Sequence, residues 1–505
     1  MTDYKLNVKR TILVGFAFFL ISAFWQAYDA IVPLALTNHF GLPQAISGAV
    51  MSLDNVLAVF MLPIFGALSD KISTKYGKRT PFILIGTIAA ILTFIALTII
   101  DAYQINLITK SGIPEWYEAT KLLETEAKEV LAAAKESGNT ALVALKEAEL
   151  EHLSDVFEEI RVATLEITLG NVWTIIGFIA VLLMVLISMA TFRSPAVALM
   201  PDVTVKPLRS KGNAIINLMG TAGGISVLAL GIIFKTSAKL FMSYMGYVIA
   251  VCAVMAIGLV IFIFTVKEKK WAQEMNEDTI RLGLEEKEKT DDAPTRKLSK
   301  AELTSLLLIL ASVALWYIGY NSITSKYSVY ATNILGFDYN ATLIVAQAAA
   351  VVAYIPVGVV ASKLGRKKTI LAGIIILATA FFIGNFITPD THPIVMFPVF
   401  ALAGIGWATI NVNSFPMVVE LARGGEVGKY TGYYYTASMA AQIVAPILSG
   451  ILYDLLGMRL VFFAFGTLFV ALSFVTMFFV KHGNAQDLGG KTAKEIIADN
   501  FANDD

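Results

Sequence analysis

Twelve apolar runs of about 20 residues recur along the chain, and they limit what it can fold into. An α-helix of that length crosses the hydrocarbon layer of a bilayer, which is about 30 Å thick. Strands of a membrane barrel are about half as long and alternate in polarity, so the runs argue against a barrel. The sequence therefore predicts an all-α, polytopic membrane protein with helices over residues 11–38, 44–67, 81–101, 170–199, 212–234, 240–266, 302–324, 339–362, 369–387, 394–416, 430–455 and 459–481.

The composition agrees with this class. Only 15% of the residues are charged and 56% are hydrophobic, whereas soluble domains are about a quarter charged. The formal net charge is zero, so we expect no nucleic-acid partner. The single cysteine, Cys252, can form no disulfide within the chain. The first apolar run is longer than a signal-peptide core and lacks a small-residue cleavage site, so we expect it to be retained as a helix.

Lysine and arginine are concentrated in every second loop. The N-terminus and the turns near residues 66–81 and 358–368 are basic, and the segment 267–300, which is mixed in charge, contains nine further lysines and arginines. Short cytoplasmic loops carry the excess of basic residues, and an even number of spans places both termini on one side. We therefore expect a multi-pass protein of a cell membrane (plasma or bacterial inner), with both termini cytoplasmic.

Long polar segments divide the chain. Residues 102–169 predict helices over 114–135 and 140–168, joined by a turn. This hairpin would lie outside the membrane, as a stable appendage, a lid or a docking surface for an unknown partner. The predicted division is an N-terminal six-helix half with the hairpin inserted (1–266), a cytoplasmic linker (267–300), a C-terminal six-helix half (301–481) and a cytoplasmic tail (482–505).

Two basic turns indicate that one half of the chain repeats the other. The first is GALSDKISTKYGKRTP at 66–81, and the second is GVVASKLGRKK at 358–368. In each, an apolar run ends at a glycine and basic residues open the next run. Internal repeats in a polytopic protein are typical of secondary transporters, whose binding site lies between the repeats near the middle of the membrane.

The first basic turn and three other stretches resemble the major facilitator superfamily. Six residues separate Asp70 from Gly77, and this long form of the superfamily signature resembles the sucrose/proton symporter group and the glycoside–pentoside–hexuronide:cation symporters. The other stretches are WQAYD at 25–29, SLDN at 52–55 and RSPAVALMPD at 193–202. The resemblance implies the major facilitator fold, with twelve transmembrane helices in two pseudo-symmetric halves, and sugar transport by alternating access.

One position departs from that pattern. Plant sucrose carriers place an arginine immediately before an A-L-x-x-D stretch. Here that stretch is ALMPD at 198–202, and the position before it is Val197. Arg193 lies one turn earlier on the same helical face. We therefore expect the substrate to be bound differently from the way plant sucrose carriers bind it.

Two acids lie inside apolar runs. Burying a charge in hydrocarbon costs several kcal/mol, so such residues are candidates for function. Desolvation disfavours the charged carboxylate, and we expect Asp54 to couple transport to a cation, with H⁺ ahead of Na⁺. Asp29 is the second candidate for this role or, alternatively, a substrate ligand. Arg193 would be their positive partner or a sugar ligand. The alternatives are acids held in an interhelical hydrogen-bond network and an arginine that reaches the membrane surface.

A sugar site needs flat aromatic surfaces and a few polar groups. Several spans offer both, although each aromatic residue alone is as compatible with packing or with an interfacial belt. The predicted substrate-binding residues are Trp25, Gln26, Tyr28, Asn55, Arg193, Trp316, Tyr320, Asn321, Trp407, Asn411, Tyr434 and Gln442.

Charged residues at the cytoplasmic ends of the spans are the predicted gate. We expect Asp70 to pair with Lys78 and Arg79, and Asp202 with Arg209, in networks that hold one conformation closed. Glu420 occupies the matching place in the second half. The alternative is that these charges only set the topology.

No enzymatic or metal-binding motif is found in the sequence. Gly490-Lys491-Thr492 lacks the glycine that a phosphate loop needs at 485, which is Ala485. No Cys/His set has metal-ligand spacing, so we expect neither an enzyme nor a bound cofactor. The sequence thus predicts a proton-coupled symporter of a sugar, either a glycoside or a disaccharide. The alternatives are Na⁺ coupling, a non-sugar substrate, and a non-transporting sensor or receptor on the same scaffold.

Overall fold

The computed structural model describes residues 6–205, 208–238, 240–281, 299–419, 421 and 427–481. Within these ranges the chain is α-helical and forms no β-strand. The helices of the first half are α1 (Val8–Leu34), α2 (Gln44–Met51), α3 (Leu53–Lys71), α4 (Thr80–Lys110), α5 (Ile113–Glu136), α6 (Thr140–Gly170), α7 (Val172–Asp202), α8 (Arg209–Phe234) and α9 (Met245–Thr265).

A short helix, α10 (Glu268–Arg281), precedes the second half. The helices of that half are α11 (Lys300–Thr324), α12 (Tyr327–Val329), α13 (Tyr339–Leu364), α14 (Arg366–Gly384), α15 (Met396–Val419), α16 (Val427–Leu456) and α17 (Met458–Phe478). We call α1–α9 the N-half and α11–α17 the C-half.

The predicted spans all correspond to helices of the structure. In the described part of the chain, eleven helical segments are long and apolar enough to cross a membrane. The remaining expected span, residues 339–362, coincides with α13, whose apolar part is Tyr339–Tyr354. The all-α, polytopic fold class is therefore confirmed.

Residues 113–170 form the predicted helical hairpin. Helix α5 leads into α6 through Gly138, which has a positive φ of 69°, and the Asn139 side chain caps α6 by accepting from the Leu142 N–H. A small apolar core of Ile108, Ile113 and Ile160 joins the hairpin to the end of α4. We call the side of the bundle on which the hairpin lies the hairpin side.

The two halves are joined by polar contacts toward the hairpin side. Asn38 and Asn333 exchange hydrogen bonds of 3.3 and 2.6 Å, and the Thr236 hydroxyl lies 2.7 Å from the Tyr339 hydroxyl. Helices α2 and α16 also pack directly against each other. The structure is therefore a conformation closed on the hairpin side.

The start of the predicted linker is helical and packs on the N-half. In α10, Trp271 is 8% exposed, and the Arg10 guanidinium lies 4.9 Å from its ring centroid. Arg10 also forms an ion pair with Glu274. The predicted cytoplasmic tail, residues 482–505, lies outside the described residues.

Candidate functional site

A break in the second span places Asp54 at the start of a helix. Helix α2 ends at Met51 and α3 begins at Leu53, so Asp54 lies in the first turn of α3. Negative charge is favoured there by the helix dipole. The Asn55 backbone and side-chain amides donate to Asp54 Oδ1 at 2.6 and 2.7 Å. Asn55 therefore orients the carboxylate.

Arg193 of α7 is a positive group that interacts with both acids. Its guanidinium carbon lies 5.4 Å from the centroid of the Trp25 ring, a cation–π contact. Asp54 and Asp29 both interact with Arg193 through Coulombic attraction. The predicted alternative, in which Arg193 reaches the membrane surface, disagrees with these contacts.

Asp29 faces the space between the halves. Its neighbours Tyr28 and Ala30 are buried, whereas Asp29 is exposed. It is nevertheless close enough to Asp54 and to Tyr320 of the C-half for electrostatic interaction. A lipid-facing side chain could not approach both halves, so this exposure is to the interior.

An aromatic wall of the C-half lies across from these charges. The rings of Tyr320 and Trp407 are stacked, with centroids 3.7 Å apart and planes at 7°. Tyr317 meets the edge of Trp407 at 5.2 Å. Tyr435 interacts electrostatically with Arg193, which brings the wall and the charged cluster into one site.

The other predicted binding residues are placed less uniformly. Gln26 accepts a hydrogen bond from Gln347 of α13, and this contact joins the halves. Asn321 and Gln442 donate to carbonyls of their own helices. Asn411 is half-buried. Tyr434 is buried, and its hydroxyl lies 2.9 Å from that of Ser414.

Trp316 does not line the site. Its side chain is 0% exposed and packs within the C-half core. The sequence could not predict this, because α11 has no distinct polar face that would fix the rotation of the helix. Tyr28 is also enclosed, at 0% exposed. Its hydroxyl has no hydrogen-bond partner within the described residues. The structure therefore offers no Trp316 surface to a ligand.

On the side opposite the hairpin, Arg79 is the centre of a charge network. Its Nε donates to Asp202 at 2.7 Å, one terminal nitrogen donates to Asp70 at 2.5 Å, and the other bonds Ser69. The residue is 6% exposed. The network therefore links the ends of α3, α4 and α7 within the N-half.

Two predicted pairings are wrong. Arg209 donates to the carbonyl oxygens of Thr204 and Pro201, at 3.1 and 2.9 Å, because the turn after α7 folds back on it, while Asp202 pairs with Arg79. Lys78 is exposed, and its backbone N–H donates to Glu268 at 2.6 Å. Glu420 lies outside the described residues.

Glu268, the first residue of α10, is a buried acid that the sequence analysis missed. It is 3% exposed and accepts hydrogen bonds from the N–H groups of Lys78, Arg79 and Thr80 and from the Thr80 hydroxyl. It thereby caps the start of α4. It lies within the charged stretch of residues 267–270, which resembles the start of a solvated linker, and no signal in the sequence distinguishes it from its neighbours.

Within the described residues, no group of three or more His, Cys, Asp and Glu side chains could hold a metal ion. The two acids of the site interact with Arg193, and Asp54 also accepts hydrogen bonds from Asn55.

Two family models match the chain, one in each half. The model of the MFS/sugar transport protein family matches residues 13–103. The model of the Major Facilitator Superfamily matches residues 342–499. The two matches agree with the resemblance of the sequence to the major facilitator superfamily.

Individual proteins resemble this chain over shorter stretches. The uncharacterized symporter sll1374 of Synechocystis sp. is 31% identical over 85 residues, 17% of this chain and 16% of its own. YagG of Escherichia coli K12, named as a candidate glycoside/cation symporter, is 31% identical over 94 residues, 18% of this chain and 20% of its own. The aligned part thus spans a fifth or less of these relatives.

A solved structure resembles this chain over its whole length. The inward-open xylose transporter XylE of E. coli matches with a TM-score of 0.59 at 12% identity, and the alignment covers 97% of this chain and 99% of XylE. At that identity the likeness shows the fold alone.

Proposed function

We propose that this protein is a secondary active symporter of the major facilitator type, which carries a sugar, either a glycoside or a disaccharide, together with protons by alternating access. The observation that carries the proposal is the interior site, in which two acids and one arginine of the N-half face a stacked aromatic pair of the C-half.

The charge balance of the site supports coupling to a cation. Asp29 and Asp54 share one nearby positive partner, Arg193. When both acids are ionised, the group carries one excess negative charge at membrane depth, which is costly in a low dielectric. Binding one proton neutralises it. We therefore assign cation coupling to Asp54 and Asp29, with H⁺ as the coupling ion and Na⁺ as the alternative.

The opposite wall supports a sugar as the substrate. The stacked rings of Tyr320 and Trp407 offer an aromatic surface to the apolar face of a sugar ring. The amide groups of Gln26, Asn321 and Gln442 would bind hydroxyls by exchanging their hydrogen bonds to Gln347 or to carbonyls of their own helices. The match to the sugar-transport family model and the name of YagG point in the same direction. A non-sugar substrate is the alternative that the experiment below separates.

The Arg79 network supports alternating access. It lies on the side opposite the hairpin and joins three helix ends of the N-half through Asp70 and Asp202. The excess of basic residues on this side makes it cytoplasmic in our proposal, with both termini there and the hairpin outside a cell membrane. The network would then favour one of the two access states.

Uptake by the purified full-length protein in proteoliposomes tests the proposal. Radiolabelled mono- and disaccharides are offered under an inward H⁺ gradient, an inward Na⁺ gradient or neither. We expect accumulation with the H⁺ gradient, loss of accumulation in Asp54→Asn, and continued counterflow exchange in that variant. Asp390→Asn, a change in an exposed acid of the hairpin side, is the matched control.

The possible outcomes separate the candidates. Accumulation driven by the Na⁺ gradient alone would identify Na⁺, and not H⁺, as the coupling ion. Gradient-driven uptake that persists in Asp54→Asn would refute the coupling role of Asp54. Ligand-induced thermal stabilisation without flux of any tested sugar would favour a sensor on this scaffold.

A further inference from the structure

On the hairpin side, an acid of the C-half caps a helix of the N-half. Asp454 of α16 accepts hydrogen bonds from the backbone N–H groups of Gln44 and Ala45, both at 2.8 Å. Gln44 is the first residue of α2, and the first N–H groups of a helix have no partner inside it. A carboxylate there satisfies them and is favoured by the helix dipole. Parting the halves on this side breaks the cap.

A buried lysine makes a second contact to the same helix. Lys326, just after α11, is 0% exposed, and its ammonium donates to the Ser47 hydroxyl of α2 at 2.5 Å. Asp454 also attracts this ammonium. A buried cation is stable only while such partners surround it. Asp454 and Lys326 therefore both attach α2 of the N-half to the C-half.

The backbones of the two halves touch at this place. A Cβ added at Gly48 would lie 2.1 Å from the Pro446 carbonyl oxygen, and one added at Gly450 would lie 2.5 Å from that of Gln44. The two glycines thus let α2 and α16 approach without side chains between them. The contact excludes water between α2 and α16 at this level, so it can act as a seal.

The hairpin reaches the same acid. Arg161 of α6 donates to the Gly41 carbonyl at 2.8 Å, in the loop before α2, and attracts Asp454 electrostatically. The hydrogen bond to Glu158 raises the pKa of the Arg161 guanidinium above its ordinary value, so the positive charge is permanent. Arg161, Asp454 and Gln44 all line one cavity of about 940 Å³ under the hairpin.

We propose that Asp454, Lys326 and Arg161 form the gate of the hairpin side, and that the hairpin is a brace that favours its closed state. Arg161 holds positive charge beside Asp454 while Asp454 caps α2. The hairpin thereby acts on the conformational equilibrium from outside the twelve-helix bundle. The inference rests on alternating access only in that the halves must be able to part on this side.

Distance measurement between spin labels tests this gate. The labels are placed on the hairpin side by Thr109→Cys at the end of α4 and Ile394→Cys before α15, in a Cys252→Ala background. Both label positions are exposed. The full-length protein in lipid nanodiscs is measured without substrate or gradient, so the result does not depend on which substrate it carries.

We expect Asp454→Asn to raise the ratio of the long-distance to the short-distance population by about fivefold, because the amide keeps one acceptor oxygen for the two N–H groups and loses the negative charge. Arg161→Gln should raise it in the same direction by a smaller factor. The matched controls are Asp390→Asn and Lys121→Gln. Both residues line the same cavity, and Lys121 pairs with Glu124 rather than with Asp454.

Distance distributions of Asp454→Asn and Arg161→Gln that match those of their controls would overturn the gate. A shift with Asp454→Asn alone would overturn the role of the hairpin. Because Arg161 lies outside the membrane-spanning helices, its variant remains informative if Asp454→Asn fails to fold.

Discussion

At the scale of single residues, Glu268 shows how one buried acid can hold a helix start in place. We expect Glu268→Gln to lower the free energy of unfolding by about 1–3 kcal/mol, since an amide offers one acceptor oxygen where the carboxylate uses two. Thermal unfolding in detergent measures the loss. Glu277→Gln, at an exposed position of the same helix, is the control, and equal melting temperatures for the two variants would contradict the capping role.

Gly77 faces the same acid, and a side chain there meets both strain and collision. Its φ is 122°, and an added Cβ would lie 2.2 Å from the Glu268 carboxyl carbon. Gly138 has φ 69° and nothing within 4 Å of its added Cβ. We expect Gly77→Ala to destabilise the protein by at least about 1 kcal/mol more than Gly138→Ala. Thermal unfolding of the two variants under the same conditions measures the difference. Equal destabilisation would mean that backbone strain, and not collision with Glu268, is the cause at Gly77.

The residues of the site could be predicted from the sequence only where a charge interrupts an apolar run. Asp29, Asp54 and Arg193 stand out for that reason, and the structure places them together. Trp316 and Glu268 could not be assigned in this way. The first depends on the rotation of an all-apolar helix, and the second on a contact between segments about 190 residues apart.

At the scale of elements, length and apolarity predict the helices well, and the hairpin follows from its polar, helix-forming composition. The break between α2 and α3 at Ser52 was not predicted, because neither proline nor glycine marks it. That break sets Asp54 at a helix start. Local propensity thus gives the spans, whereas tertiary contacts decide where a span is interrupted.

The hairpin should lose part of its stability in acid through Glu124. Burial raises the pKa of this carboxyl, but hydrogen bonds and charges from Lys121 and Lys128 outweigh burial, so the pKa lies below its ordinary 4.5. The stabilising contribution of the ionised Glu124 is therefore fully present above pH 4.5, and it is lost as the pH falls through the lowered pKa of the folded state. At neutral pH we expect Glu124→Gln to speed hydrogen exchange of α5 by about twofold.

The exchange difference should shrink in acid, after correction for the intrinsic pH dependence of exchange. Glu129→Gln, at an exposed position of the same helix, is the control. A difference that stays constant as the pH falls, or that also appears in the control, would contradict the assignment to the Glu124 ion pairs.

At the scale of the whole molecule, the two sides of the bundle are built differently. The hairpin side joins the halves to each other through Asp454, Lys326 and the Asn38–Asn333 pair. The Arg79 network on the other side joins helix ends within the N-half. The described contacts between the halves therefore leave the interior site closed toward the hairpin, and transport requires these contacts to break.

Alternating access makes a direct prediction at the Asn38–Asn333 contact, where the two side chains exchange hydrogen bonds across the halves. In a Cys252→Ala background, Asn38→Cys with Asn333→Cys should react with a short bifunctional thiol reagent. The cross-link should stop uptake into proteoliposomes, because the hairpin side can no longer open, and cleavage of the linker should restore it. Each single variant, treated identically, should transport normally. Full uptake by the cross-linked protein would mean that the halves do not part at this contact during turnover.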